Sequence, residues 1–122
     1  MNNNEEKFNI AKQLHYSGRI KEAQKIYIKL LKIYNNNHIL YHLVGTTYLQ
    51  LKEQKPAIEY FKLSLKYNPN FPDTYNNMGI ALAENKEHIE ALNNYNKAIE
   101  LKNDYIDAYL NRGISFNKLK KY

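Results

Sequence analysis

A period of 34 residues constrains this chain more than any other feature. Gly45, Gly79 and Gly113 are 34 apart both times (79 − 45 and 113 − 79), and each follows a tyrosine, Tyr41, Tyr75 or Tyr109, at the same distance. Beyond the first two glycines come Ala57 and Ala91, then Phe61 and Tyr95, then Ser64 and Ala98. One period before Gly45 lies Ala11, with Leu14, Gly18, Ala23 and Tyr27 in the matching places. A fixed period of this length marks a repeat architecture, in which one supersecondary unit stacks on copies of itself.

The unit reads as two helices. With units numbered from residues 4, 38, 72 and 106, positions 4, 7, 8 and 11 fall within about 100° on one helix face. Positions 20, 24 and 27 do the same on a second helix. Glycine or alanine at positions 8 and 20 lets two backbones approach closely, and aromatic side chains at 4, 11 and 24 fill the surrounding space. One hairpin buries too little apolar surface to offset its ordering entropy, so neighbours must stack. Breakers agree with these boundaries: Gly18 between helices, Asn35-Asn36-Asn37 after a second helix, and the stretch from Asn68 to Asp73 before the fifth. Pro72 suits a first helical position, where its missing N–H costs nothing.

This spacing and these residue types resemble the tetratricopeptide repeat (TPR) family, whose signature is a 34-residue helix–turn–helix. The resemblance implies an all-α fold, a right-handed solenoid of antiparallel helix hairpins with about seven helices. It covers the chain as a single domain with repeats 4–37, 38–71 and 72–105 and a half repeat 106–122. The family's proline at position 32 appears once, as Pro69, and Lys7 stands where the first unit should carry an aromatic. That unit reads as a terminal one with a solvated outer face. The final helix would leave Leu110, Ile114, Phe116 and Leu119 partly uncovered, so the chain is expected to be a piece of a longer protein. Self-association through the half repeat is the other way to cover that end.

Composition narrows the function classes. The 122 residues suit one domain, and no run of 18 apolar residues is present to span a membrane. The polar start around Glu5 and Glu6 is no secretory signal, and cysteine is absent, so a cytoplasmic location is expected. The net charge of +6 and pI near 9.3 invite a nucleic-acid reading. Heavy use of Asn, Lys, Ile and Tyr, as in a genome rich in A and T, accounts for that charge equally well. Lys21, Lys25, Lys29 and Lys32 line one outer helix face and read as solvated, and six of the twelve tyrosines (Tyr27, Tyr41, Tyr48, Tyr75, Tyr95, Tyr109) hold repeat-signature positions and are expected in the core. His38 and His42 have helical metal-pair spacing without the accompanying acid of a metalloprotease motif. No phosphate-cradling glycine loop or nucleophilic triad stands out, so the chain reads as non-enzymatic, with no cofactor or metal.

In TPR arrays the first helices of successive repeats line a concave surface that takes a peptide, and the resemblance places such a groove at positions 2, 5, 6, 9, 12 and 13. The expected groove residues are Phe8, Asn9 and Lys12, then His42, Leu43 and Thr46. Asp73, Asn76, Asn77 and Ile80 continue the face, and Asp107, Asn111 and Ile114 end it. A protein or peptide partner is expected, with Asn77 and Asn111 meeting its backbone and Phe8, His42, Leu43, Ile80 and Ile114 its apolar side chains. The carboxylate clamp of chaperone adaptors needs Lys, Asn, Asn, Lys and Arg at five groove positions. From the first repeat the chain offers Phe8, Lys12, Leu43, Asp73 and Asn77, and from the second His42, Thr46, Asn77, Asp107 and Asn111. Asp73 and Asp107 would repel a carboxylate, so chaperone-tail binding is not expected. Asn9, Asn77 and Asn111 at position 6 resemble instead the asparagine ladder of O-GlcNAc transferase TPRs, broken at Leu43. An amide suits that task because it donates to a carbonyl and accepts from an N–H together. An accidental pattern in an Asn-rich chain, a self-assembling spacer, and the recruiting arm of a larger enzyme are the competing readings.

Overall fold

The computed structural model describes residues 2–121, and among them there are seven α-helices and no strand. These are α1 (Asn3–Tyr16), α2 (Ile20–Leu31), α3 (His38–Gln50), α4 (Gln54–Tyr67), α5 (Pro72–Glu84), α6 (His88–Leu101) and α7 (Ile106–Lys120). Asn2 and Asn37 cap α1 and α3 by accepting the Glu5 and Leu40 N–H groups at 2.8 and 3.1 Å. Pro72 opens α5 at its first turn, as its fixed φ and missing donor favour.

Each hairpin turns through one left-handed residue at the same repeat position. Gly18 has φ 86°, and Lys52 and Lys86 have φ 64°. The next N–H then reaches back over the turn, Arg19 to the Leu14 carbonyl, Glu53 to Tyr48 and Glu87 to Leu82, at 2.8–2.9 Å. Glycine adopts that conformation freely, whereas a residue with a Cβ loses about 1 kcal/mol there. A second repeated device closes the turn between units. The hydroxyls of Tyr41, Tyr75 and Tyr109 donate to the carbonyls of Asn35, Pro69 and Asn103 at 2.8, 2.8 and 3.0 Å. Tyrosine at position 4 therefore ties the start of each first helix to the loop before it.

Within hairpins, an aromatic ring of the second helix lies directly on the small residue of the first. A methyl group on Gly45 would come 2.6 Å from the Phe61 ring, and one on Gly79 would come 2.4 Å from Tyr95. Burying Phe61, Tyr95 and the equivalent Tyr27 contributes roughly 2–3 kcal/mol each. Neighbouring hairpins share these cores: Leu30 and Leu31 of α2 join Leu40 and Val44 of α3, and Ile58 of α4 joins Met78 and Leu82 of α5. Substantial contacts run only between helices one or two places apart in the chain. The lysines Lys21, Lys25, Lys29 and Lys32 are all exposed. No helix among the described residues is long and apolar enough to cross a membrane.

The tyrosine expectation needs correction. Tyr27 and Tyr95 are buried, but Tyr41, Tyr48 and Tyr75 are half-buried and Tyr109 is 41% exposed. Position 4 sits at the rim of the hairpin, where its ring must reach the preceding loop to donate its hydrogen bond. At Tyr109 there is also no second helix beyond α7 among the described residues to cover it.

Candidate functional site

The first helices α1, α3, α5 and α7 stand side by side. Direct bonds cross between them: His15 Nε2 donates to Gln50 Oε1 at 2.6 Å, and Asn77 Nδ2 to Thr46 Oγ1 at 3.4 Å. Asn111 Nδ2 donates to Asn76 Oδ1 at 3.2 Å. Two depressions open in this row of helices. The first, of ≈ 440 Å³, brings Lys12 and Leu43 together with His15, Tyr16 and Gln50. The second places Ile80, Asn111 and Ile114 around Glu84 and Lys118. Phe8 lines a separate hollow with Ile39 and Tyr34, and Lys12 lies 4.9 Å over the Phe8 ring. His15 Nδ1 also shares a hydrogen bond with the Tyr27 hydroxyl, 3.1 Å away. Burial pushes the Tyr27 hydroxyl up to about 12, so it remains a donor throughout the ordinary pH range.

Position 5 behaves differently from the expectation. The repeat numbering places His42 and Asn76 among the expected groove contacts, yet both turn toward neighbouring helices. The His42 ring packs edge-on against Phe71 at 5.3 Å and tilts over Phe61 at 5.8 Å, while Nδ1 shares a hydrogen bond with Thr74 Oγ1 at 2.8 Å. Burial lowers its pKa to about 4, against an opposing pull from the Asp73 carboxylate, and His38 nearby lowers it further. Asn76 is 4% exposed and accepts from Asn111. The cause is the residue at position 34, one period apart in Phe71 and Tyr105, which precedes the next first helix and folds its ring back. Phe71 meets His38 at 5.2 Å as well as His42, and Tyr105 donates to Asp73 Oδ1 at 2.7 Å. Burial, with Asp73 and Asp107 beside it, holds the Tyr105 hydroxyl protonated far above its usual range. Phe71 and Tyr105 sit at helix N-caps, outside the helical faces, so helix periodicity alone does not single them out. Their spacing of 34 was the available signal.

The remaining expected residues fall in three groups. Leu43, Thr46, Asn77, Ile80 and Asn111 are half-buried between first helices, accessible on one side and bonded or packed on the other. Asn9, Lys12, Asp73, Asp107 and Ile114 are exposed. The histidine pair at 38 and 42 is absorbed by packing, with Asn68 Nδ2 within 3.3 Å of His38 Nε2.

Three family models match the chain. One described as TPR repeat covers residues 82–120, and two described as tetratricopeptide repeat cover 60–93 and 39–71. No curated protein matches. Among solved structures, the first TPR of Spaghetti (RPAP3) bound to HSP90 peptide SRMEEVD has a TM-score of 0.92 at 20% identity, covering 96% of this chain and 93% of that one. MamA gives 0.91 at 23% identity, over 98% of this chain and 70% of that one. The Sgt2 TPR domain from Aspergillus fumigatus gives 0.91 at 15% identity, over 99% and 82%.

Proposed function

The chain belongs to the tetratricopeptide repeat family, and we propose that it is a protein-interaction module whose row of first helices binds an extended peptide segment of a partner. One observation carries this reading: residues expected on adjacent first helices share depressions, Lys12 with Leu43 and Ile80 with Asn111 and Ile114. Apolar floors edged by amides and single charges are what an extended chain needs, side chains in the hollows and backbone along the rim. Asn77 and Asn111 each spend an Nδ2 proton on the neighbouring helix, which fixes the plane of the amide. An amide fixed in that way presents its oxygen to a passing N–H without further ordering cost.

The charge layout selects the ligand. Asp73 and Asp107 stand in the first turns of α5 and α7. The HSP90 peptide on the Spaghetti domain is acidic. Here the carboxylates would repel such a tail, so the proposed ligand is neutral or basic where it crosses α5 and α7.

The test is selection from a displayed peptide library, followed by titration of the winners against the parent and the Asn9→Ala, Asn77→Ala, Asn111→Ala variant. Three lost hydrogen bonds at about 1 kcal/mol each weaken binding roughly a hundredfold. Circular dichroism must show the variant still folded, because two of these amides also bond between helices. Equal affinity of a folded variant, or winners uniformly acidic, would sink the proposal.

A further inference from the structure

Acids favour the first turn of a helix and bases the last, where each offsets the helix dipole. In this chain the alignment of the first helices turns that local rule into a pattern across the whole row. Hydrogen bonds join nearly equal repeat positions, His15 with Gln50, Asn77 with Thr46 and Asn111 with Asn76, so α1, α3, α5 and α7 run in the same direction. Glu5, Asp73 and Asp107 occupy first turns at position 2. Lys118 stands in the last turn of α7 at position 13, and Lys12 in the second half of α1 at position 9. Side by side they make an acidic edge and, about 10–16 Å along the helices, a basic one. All five side chains are exposed, and among the described residues none of them is joined in an ion pair. Glu84, an acid on the basic edge, is offset by Lys52 at 3.7 Å and by the Gln54 amide at 3.3 Å. Between the edges lie the two depressions, one lined by Lys12 with Leu43 and the other by Lys118 with Ile80 and Ile114.

We propose that the row of first helices selects an extended peptide whose charges alternate, with acidic side chains on one side of its backbone and basic side chains on the other. The proposal rests on the peptide-binding role proposed above and adds the order of charges in the ligand. Successive side chains of an extended chain point in opposite directions. A segment lying between the two edges therefore sends every second side chain toward Glu5, Asp73 and Asp107, and the others toward Lys12 and Lys118. Residues an even number apart then meet the same edge and need like charges, while residues an odd number apart need opposite charges. A peptide of the same composition with its charges grouped in blocks presents both signs to each edge, so part of its charge is always opposed. Net charge does not separate the two peptides, which excludes simple attraction to the basic chain as the source of a preference.

The test reads charge order in peptides selected by the full chain from a displayed library, each about twelve residues long and so able to cross all four first helices at about 3.3 Å per residue. Selected peptides should carry opposite charges at odd separations and like charges at even ones. A fluorescent synthetic copy of one winner is then titrated beside a permuted copy with the same residues and its charges in blocks. The permuted peptide should bind about tenfold more weakly, and the gap should close toward 1 M salt, where the screening length falls to about 3 Å. Lys12→Gln with Asp107→Asn should narrow the gap without a fall in melting temperature, because both side chains are exposed and neither is ion-paired. Equal affinity of the two peptides, or a gap that the double variant leaves unchanged, overturns the proposal. Like charges recurring three or four apart would mean a helical ligand and overturn it as well. If the winners lose affinity to the Asn9→Ala, Asn77→Ala, Asn111→Ala variant yet show no alternation, the charge order is wrong and the peptide-binding role stands. If no peptide is selected, both fall.

Discussion

Gly79→Ala and Gly113→Ala are the same chemical change at the same repeat position, and the structure assigns them opposite signs. Both replace a mid-helix glycine, which raises helix stability by about 1 kcal/mol. At Gly79 the new methyl would stand 2.4, 2.7 and 2.9 Å from three carbons of the Tyr95 ring, where unstrained carbons keep about 3.5 Å. Tyr95 is 2% exposed and packed in the hairpin core, so the helices must part by roughly 1 Å or the ring must leave its rotamer. Overpacking of this kind costs about 1–3 kcal/mol. Because the propensity gain is common to both variants, the difference between them isolates the clash at that same ~1–3 kcal/mol. For a chain of this length each kcal/mol moves the melting temperature by roughly 3–6 °C. Urea and thermal unfolding followed by circular dichroism measure it directly, with Gly45→Ala as a repeat of the Gly79 experiment against Phe61. Equal melting temperatures for Gly79→Ala and Gly113→Ala would refute the close-approach argument.

Further outcomes follow from the same geometry. His42 has a folded pKa lowered from 6.5 to about 4 by burial, so the unfolded chain binds the extra proton first. Stability is then fully present above pH 6.5 and falls as pH drops toward 4, at up to ~1.4 kcal/mol per pH unit. Urea midpoints across that range should show this slope, and His42→Gln should flatten it. Tyr75→Phe deletes the 2.8 Å bond to the Pro69 carbonyl and should lower stability by about 1 kcal/mol, read from the same unfolding curves. Thr47→Val leaves the Gln24 amide without the buried oxygen it reaches at 3.0 Å, a loss of about 1–3 kcal/mol. Lys52→Gly with Lys86→Gly removes the left-handed strain at both turns and should raise the melting temperature, unlike Lys55→Gly inside α4.

Most of the fold was legible because its signals are periodic. The glycines, the alanines of the second helices and their aromatics recur at a fixed spacing, and each recurrence fixes a packing face. The candidate site was legible only in outline, since helical geometry places a position on a face but not at a depth. Position 5 illustrates the limit: His42 and Asn76 fall on the expected arc, yet Phe71 and Tyr105 fold over them from the inter-repeat turns. That fold-back depends on loop conformation, which no helix periodicity encodes. The left-handed lysines were hidden for a related reason. Gly18 announces its turn, whereas Lys52 and Lys86 adopt the same conformation because the hydrogen bonds around them demand it.

The restriction of contacts to helices one or two places apart has a kinetic consequence. Every pairing closes a loop no longer than about two hairpins, so no slow search for distant segments precedes the first productive collapse. Folding can begin at any hairpin and spread in either direction, and refolding on the microsecond-to-millisecond scale is expected. Disturbance is confined in the same way. A lesion in the α1–α2 hairpin should raise amide hydrogen exchange there and in α3 while leaving α6 protected, so damage to one part of this molecule is felt mainly by its immediate neighbours.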